Sequence, residues 1–223
     1  DYGDGGGVAV LGRGSAVVLV NTRVANNTAA RLGGGLSCLC DGCRLLVVGA
    51  RLANNSAQAA GGGLLAAGEG LDATLTAVQL VGNVAAGPSA AGGGLAVHGG
   101  HHVTLESVVA SENAASGFGG GAAIVRGTGP VGLVRCTFER NEASPQGPAA
   151  AARGPEAGGA APGERRRRLR QAMGAALPIF RGTLLQAPEG IAAGNATGDD
   201  ALYPGGGALY ASSRGTITLR GTT

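Results

Sequence analysis

The sequence contains no tryptophan and no lysine, and only three phenylalanines, three tyrosines and one methionine stand among its 223 residues. Large side chains fill most of the core of an ordinary globular domain, so their scarcity argues against a large core and favours stacked small residues. No apolar run reaches 18 residues, and the sequence therefore predicts no transmembrane helix. No basic segment followed by an apolar one is found, so no signal peptide is predicted either.

Glycine is abundant instead, and it recurs as triplets. The triplets begin at Gly33, Gly61, Gly92, Gly119 and Gly205. An asparagine column follows the same period of roughly 28 residues and contains Asn27, Asn55, Asn83, Asn113, Asn141 and, two periods on, Asn195. A fixed period of this length is typical of a solenoid, in which each repeat forms one structural unit. Because the chain begins and ends within repeats, we interpret it as a fragment of a longer repeat protein.

Apolar columns precede each asparagine at fixed distances. Ten residues before it stand Val17, Leu45, Ala73, Val103 and Val131, and eight before it stand Leu19, Val47, Leu75, Leu105 and Leu133. Further pairs lie five and three residues before the asparagine and directly after the glycines. An offset of two within each pair is the period of a β-strand, and the offset of three between pairs indicates a bend or bulge. Three short strands per turn predict a parallel β-helix.

The asparagine and glycine columns have physical explanations. Asparagine tolerates the left-handed conformation of a tight corner, and its amide can bond to the asparagines of neighbouring turns, about 4.8 Å away. We therefore predict an asparagine ladder. Glycine suits the other corner, where the chain reverses with positive φ.

A leucine-rich-repeat horseshoe is the alternative fold, because Leu75, Val78, Leu80 and Asn83 match the L-x-x-L-x-L-x-x-N pattern. That fold needs a helix after the asparagine. The segment from Gly92 is too rich in glycine for one, since each glycine costs a helix about 1 kcal/mol. We favour the β-helix.

Two motifs resemble those of a known group. Gly119-Gly-Gly-Ala-Ala-Ile and Phe138-Glu-Arg-Asn141 resemble the paired G-G-A-I and F-x-x-N repeats of polymorphic outer-membrane proteins and other right-handed, pectin-lyase-like β-helices. The resemblance covers about residues 5 to 145 and 183 to 223. It implies a right-handed, single-stranded parallel β-helix that is secreted or exposed at a cell surface. Members of this group are adhesive or carbohydrate-active, and the resemblance does not choose between these roles.

The repeat pattern disappears from 144 to 181, a segment rich in alanine, glycine, proline and arginine. We predict an irregular insertion in one solenoid that spans 1–223, with one degenerate turn before Asn195. Arginines cluster at 165–168 and 170, and Glu164 to Leu177 are compatible with a short basic helix that Pro178 would end. The cluster is either a solvated loop or a contact for a polyanion. Because basic residues are not spread along the repeats, we do not predict nucleic-acid binding.

Cysteine and histidine predict no metal site and no cofactor. Cys38, Cys40 and Cys43 lack a fourth ligand, because Cys136 belongs three turns away, about 14 Å by strand spacing. A local disulfide from Cys43 to Cys38 or Cys40 suits a secreted protein. The three histidines, at 98, 101 and 102, lie in a glycine-rich turn with no acidic neighbour along the chain before Glu106, and we assign them no catalytic role.

The outward-facing positions of the predicted strands carry one carboxylate, Glu106, among twenty positions. Carbohydrate-cleaving enzymes need at least two carboxylates, or carboxylates that hold calcium, so no catalytic residue is assigned. Stacked Arg23 and Arg51, together with Glu106, are the candidate carbohydrate-binding residues.

These observations favour an all-β, right-handed parallel β-helix of about six to seven turns, with no catalytic or metal site. The preferred function is a non-enzymatic extracellular or cell-surface scaffold that serves adhesion or binds a polysaccharide or surface glycan. The alternative is a polysaccharide lyase or glycoside hydrolase whose catalytic turns lie outside this fragment.

Overall fold

The computed structural model describes residues 3–88, 90–144, 195–196, 209–213 and 216–221. Within these ranges the chain winds into a parallel β-helix in which every turn contains four strand segments. The first and second segments are β1 (Val8–Arg13), β2 (Ala16–Val20), β5 (Leu36–Asp41), β6 (Arg44–Val48), β9 (Leu64–Thr76), β12 (Leu95–Glu106), β15 (Ala122–Gly127) and β16 (Val131–Val134). In β9 and β12 the two segments join into one long strand.

The third and fourth segments form two smaller sheets of five strands each, which gives five turns. The third segments are β3 (Arg23–Ala25), β7 (Arg51–Ala53), β10 (Gln79–Val81), β13 (Val109–Ser111) and β17 (Thr137–Glu139). The fourth segments are β4 (Thr28–Ala29), β8 (Ser56–Ala57), β11 (Val84–Ala85), β14 (Ala114–Ala115) and β18 (Glu142–Ala143). This fourth segment was not predicted from the sequence.

The predicted columns are confirmed by the pairing register. Val17 pairs with Leu45, Leu45 with Ala73, Ala73 with Val103, and Val103 with Val131, always on parallel strands. Their side chains point inward, and those of the middle turns are fully buried. The core is therefore a stack of leucine, valine and alanine columns, which explains how the chain folds without tryptophan.

Part of a sixth turn follows. β20 (Leu209–Ser213) pairs with β15, and β21 (Ile217–Arg220) pairs with β16. The predicted insertion, its basic helix and the degenerate turn before Asn195 lie outside the described residues, apart from Ser144.

No helix occurs in the described part of the chain. Each ladder asparagine is followed by a two-residue strand, whereas a leucine-rich repeat of this length would continue into a helix. The horseshoe alternative is therefore wrong for these turns.

Besides the glycine triplet, two corners in each turn have left-handed backbone. The first corner is formed by Asn21, Gly49, Ala77, Ser107 and Arg135, and the second by Asn26, Asn54, Gly82, Glu112 and Arg140, all with φ between 50° and 63°. The predicted left-handed conformation of the asparagine column was therefore wrong, whereas the predicted ladder is confirmed. The left-handed residue is the one before the ladder asparagine.

Hydrogen bonding explains the asparagine column. The bonded ladder consists of Asn27, Asn55, Asn83, Asn113 and Asn141. In its centre, the backbone N–H and the side-chain amide of Asn55 both donate to Oδ1 of Asn83, at 3.0 Å each. Nδ2 of Asn83 also donates to the carbonyl of Leu52 at 2.9 Å. Each inner amide thus bonds to backbone groups of a neighbouring turn at this corner.

Asn195 was predicted to extend this ladder. It lies instead in β19 (Asn195–Ala196), whose backbone pairs with β21 in antiparallel orientation, Asn195 opposite Thr218. That register differs from the parallel stacking of the other five asparagines.

The three glycines of each triplet are required for different reasons. The first has positive φ, 62° at Gly61. The second meets neighbouring backbone, since a Cβ at Gly62 would collide with the carbonyl groups of Val84 and Gly93. The third lies against the ladder, where a Cβ at Gly63 would stand 3.0 Å from Cγ of Asn83. The glycine and asparagine columns are therefore one packed unit.

Candidate functional site

The candidate site begins with a column of long polar side chains at the start of the third strand segment. Arg23 pairs with Arg51, and Arg51 with Gln79, on adjacent parallel strands. All three are exposed. Successive side chains of a strand point to opposite faces, and the next residues of these strands, such as Leu52, are buried. The polar residues before them therefore face solvent. Each of these three strands thus begins, after its left-handed corner, with a polar residue that faces solvent.

Arg23 and Arg51 differ from four other arginines of the described turns in their ion pairing. The arginines that pair with carboxylates are Arg13 with Asp41, Arg31 with Asp4, Arg135 with Glu106, and Arg140 with Glu112 and Glu139. Neither Arg23 nor Arg51 lies within ion-pair distance of a carboxylate in the described part of the chain. The Nη1 group of Arg51 donates a 2.5 Å hydrogen bond to Oε1 of Gln79.

Two guanidinium groups on neighbouring strands repel each other. At a strand spacing of about 4.8 Å the repulsion between unit charges is about 0.9 kcal/mol in water. An anion that bridges them would relieve this repulsion and accept charge-assisted hydrogen bonds from both. The Arg23–Arg51 pair is therefore chemically suited to a carboxylate or sulfate.

Glu106, the third predicted site residue, is not brought together with the arginine pair. It ends β12 in the fourth turn, two turns from Arg51, and its Oε1 accepts a hydrogen bond from Nη2 of Arg135. This ion pair bridges the fourth and fifth turns across the first corner. Glu106 is thus occupied by a neighbouring arginine.

A second polar pair was missed by the sequence analysis. Nδ1 of His102 lies 3.2 Å from Oδ1 of Asp72 on the adjacent turn. The two residues face each other in the register of β9 and β12, and Arg44 continues their column on β6. The histidines therefore do have an acidic neighbour in space. All three residues stand eleven positions before a ladder asparagine, a column that could have been found by counting one position further back.

Distance argues against a catalytic pair of carboxylates on this face. Asp72 lies beside His102, and Glu106 lies four residues further along the same strand, which is about 13 Å at strand rise. The two carboxyl groups of a glycosidase stand about 5 to 9.5 Å apart. Asp72 and Glu106 consequently do not form such a pair.

Two of the four cysteines form a disulfide, and the other two are buried free thiols. Cys40 and Cys43 are joined by a disulfide, with Cα atoms 5.6 Å apart, across the corner between β5 and β6. Cys38 and Cys136 are free and buried, and burial raises the pKa of each thiol. Among the described residues, no group of three histidine, cysteine, aspartate or glutamate side chains could hold a metal ion.

No protein-family model, no curated protein and no solved structure matches this chain. The parallel β-helix that the repeat motifs implied is present in the structure. Within the described residues, no helix is long and apolar enough to cross a membrane.

Proposed function

We propose that the protein is a non-enzymatic extracellular or cell-surface scaffold that binds acidic polysaccharide through Arg23 and Arg51. The observation that carries this proposal is the stacking of two exposed arginines with no carboxylate partner among the described residues, on a solenoid where four other arginines are paired with carboxylates. A linear chain of uronic acids presents carboxylates at regular intervals. The guanidinium groups would bind these carboxylates by charge-assisted hydrogen bonds.

The surface next to the pair supports a sugar ligand. Val18 and Val20, on the strand that precedes Arg23, are 60% and 54% exposed and provide apolar surface for the C–H faces of sugar rings. The sequence has no tryptophan, so no indole platform adds to the affinity. We therefore expect weak binding at this one site.

Polygalacturonate is a suitable probe, with dextran as the neutral comparison. We expect the wild-type protein to bind polygalacturonate in affinity electrophoresis, and salt to weaken the binding. The double variant Arg23→Gln/Arg51→Gln should lose at least about tenfold in affinity, or about 1.4 kcal/mol. The matched control is Arg13→Gln/Arg140→Gln, which removes the same charge from paired arginines and should change affinity less than about twofold.

Equal losses in the two double variants would show that net charge alone is recognised, and no binding by the wild type would contradict the proposal. The second candidate function is cleavage of the polysaccharide, and the observation that favours it is the Asp72–His102 pair, since a histidine beside a carboxylate can transfer protons. Cleavage would release new chain ends during incubation with polygalacturonate, and the variant His102→Gln would release none. The distance between Asp72 and Glu106 leads us to expect no cleavage.

A further inference from the structure

Two sequence triplets at the second corner have the form N-x-S/T. They are Asn26-Asn27-Thr28 in the first turn and Asn54-Asn55-Ser56 in the second. This motif is the acceptor for N-linked glycans on surface loops of secreted proteins. The repeat requires only the middle residue of each triplet, because that residue belongs to the asparagine ladder.

The two asparagines of each triplet have different environments. Asn55 is buried, and its amide is used in the ladder. Asn54, directly before it, has a left-handed backbone with φ of 54° and is exposed. Asn26 has the same conformation, with φ of 60°, and is also exposed. Neither of these exposed side chains forms a hydrogen bond with the described residues.

Four of the five residues of this corner column are exposed. The residue that follows Asn54 in the column is Gly82, and the Asn54 amide lies over it, since a Cβ at Gly82 would stand 2.7 Å from Oδ1 of Asn54. Glu112 and Arg140 continue the column and are exposed. A glycan on this corner would extend into water without displacing a buried group.

We propose that Asn26 and Asn54 are N-glycosylation sites. The amide nitrogen of each would attack the anomeric carbon of a lipid-linked diphosphate oligosaccharide. A carbon–nitrogen bond forms, the carbon–oxygen bond to phosphate breaks, the lipid diphosphate leaves, and the amide proton passes to solvent. The proposal rests on the extracellular location given above. It is independent of the arginine pair, because polysaccharide binding is measured on protein made without glycans.

The test is secretion of the full chain from a eukaryotic host, with an added signal peptide and a terminal tag that carries a reporter sequon. A Thr197→Ala background removes the third triplet, Asn195-Ala-Thr. Site occupancy is read by mass spectrometry of peptides after glycosidase treatment. The variants Thr28→Ala and Ser56→Ala each remove one motif while leaving both the left-handed asparagine and the ladder asparagine in place.

We expect glycopeptides at Asn26 and Asn54. Thr28→Ala should abolish the glycopeptide at Asn26 alone, and Ser56→Ala that at Asn54 alone. If the reporter sequon is modified while Asn26 and Asn54 stay bare in folded, secreted protein, the proposal is wrong. Glycan that persists at Asn26 in Thr28→Ala would overturn it as well, because attachment would then not depend on the motif.

Discussion

At the scale of single residues, buried amides and thiols have the most clearly defined environments. Each inner ladder asparagine, Asn55, Asn83 and Asn113, connects three turns, since it accepts from one neighbour and donates to the other. A buried polar group that loses its partner costs about 1 to 3 kcal/mol. The ladder should therefore be sensitive to substitution at every inner position.

Replacing Asn83 with alanine tests this expectation. The change leaves the backbone N–H and side-chain amide of Asn55 and the carbonyl of Leu52 without their partner. We expect a loss of at least about 3 kcal/mol in the free energy of unfolding, measured in urea. The control Gln79→Ala removes an exposed side chain that is bonded to Arg51, and it should cost less than about 1 kcal/mol. Similar losses in both variants would contradict an energetic role for the ladder.

The two free thiols should be unreactive in the folded protein. Burial raises the pKa of Cys38 and of Cys136, so at a given pH less thiolate is present than in the unfolded chain. We expect iodoacetamide to modify native protein at pH 7.5 at least about tenfold more slowly than urea-unfolded protein. Rapid modification of native protein would contradict the burial of these thiols.

The sign of the pH effect on stability follows from the same shift. Below about pH 8.5, the thiol pKa in the unfolded chain, both thiols are neutral in the folded and the unfolded state, and the free energy of unfolding has its highest value. As pH rises above this value, the unfolded chain loses its thiol protons first. Stability should therefore fall between the unfolded and folded pKa values. A double Cys38→Ala/Cys136→Ala variant should lack this component of the pH dependence.

At the scale of structural elements, the glycine triplet is the part that least tolerates change. The collision at Gly62 involves backbone carbonyls of two other strands or corners, which cannot rotate away as a side chain would. Gly62 has no positive φ, so a substitution there tests packing without backbone strain.

We expect Gly62→Ala to lower the free energy of unfolding by about 1 to 3 kcal/mol, as overpacking does elsewhere. Thermal unfolding measures the effect. Gly132→Ala is the matched control, because it lies on strand β16 with nothing within 4 Å of an added Cβ. It should be neutral or stabilising. If both alanine variants unfold at the wild-type temperature, the triplet does not pack as described.

The strands could be predicted from the sequence because, in a solenoid, residues one repeat period apart become paired neighbours on parallel strands. Val17 and Leu45 are 28 residues apart and become neighbours on parallel strands. The two-residue strands after each asparagine could not be predicted, since two residues show no period. The left-handed residue was misplaced by one position, because either asparagine of a pair such as Asn54 and Asn55 suits that conformation.

The candidate site was predicted only in part, for a similar reason. Arg23 and Arg51 occupy one column of the repeat and were found together. The contact between Asp72 and His102 joins residues of different chemical type on turns of unequal length, 30 residues apart. The Glu106–Arg135 ion pair crosses a corner, where side chains meet outside the strand register. Such contacts depend on the three-dimensional path of the corner.

At the scale of the whole molecule, each turn contacts only its neighbours, and every surface feature is built from residues about one period apart. The Arg23–Arg51 pair and the column that contains Asn26 and Asn54 both exist only because one coil takes about 28 residues. The central property of the molecule is thus the stacking of equivalent residues on successive turns. It can be tested at the binding site itself.

The direct measurement is electron paramagnetic resonance of spin labels at positions 23 and 51, in an Arg23→Cys/Arg51→Cys variant. The native free thiols are buried and should stay unlabelled in folded protein. With backbones about 4.8 Å apart, we predict strong dipolar broadening relative to the sum of the singly labelled spectra. An Arg23→Cys/Gln79→Cys variant, two turns apart, should broaden less. A doubly labelled 23/51 spectrum equal to the sum of the single ones would contradict the stacking and, with it, the proposed site.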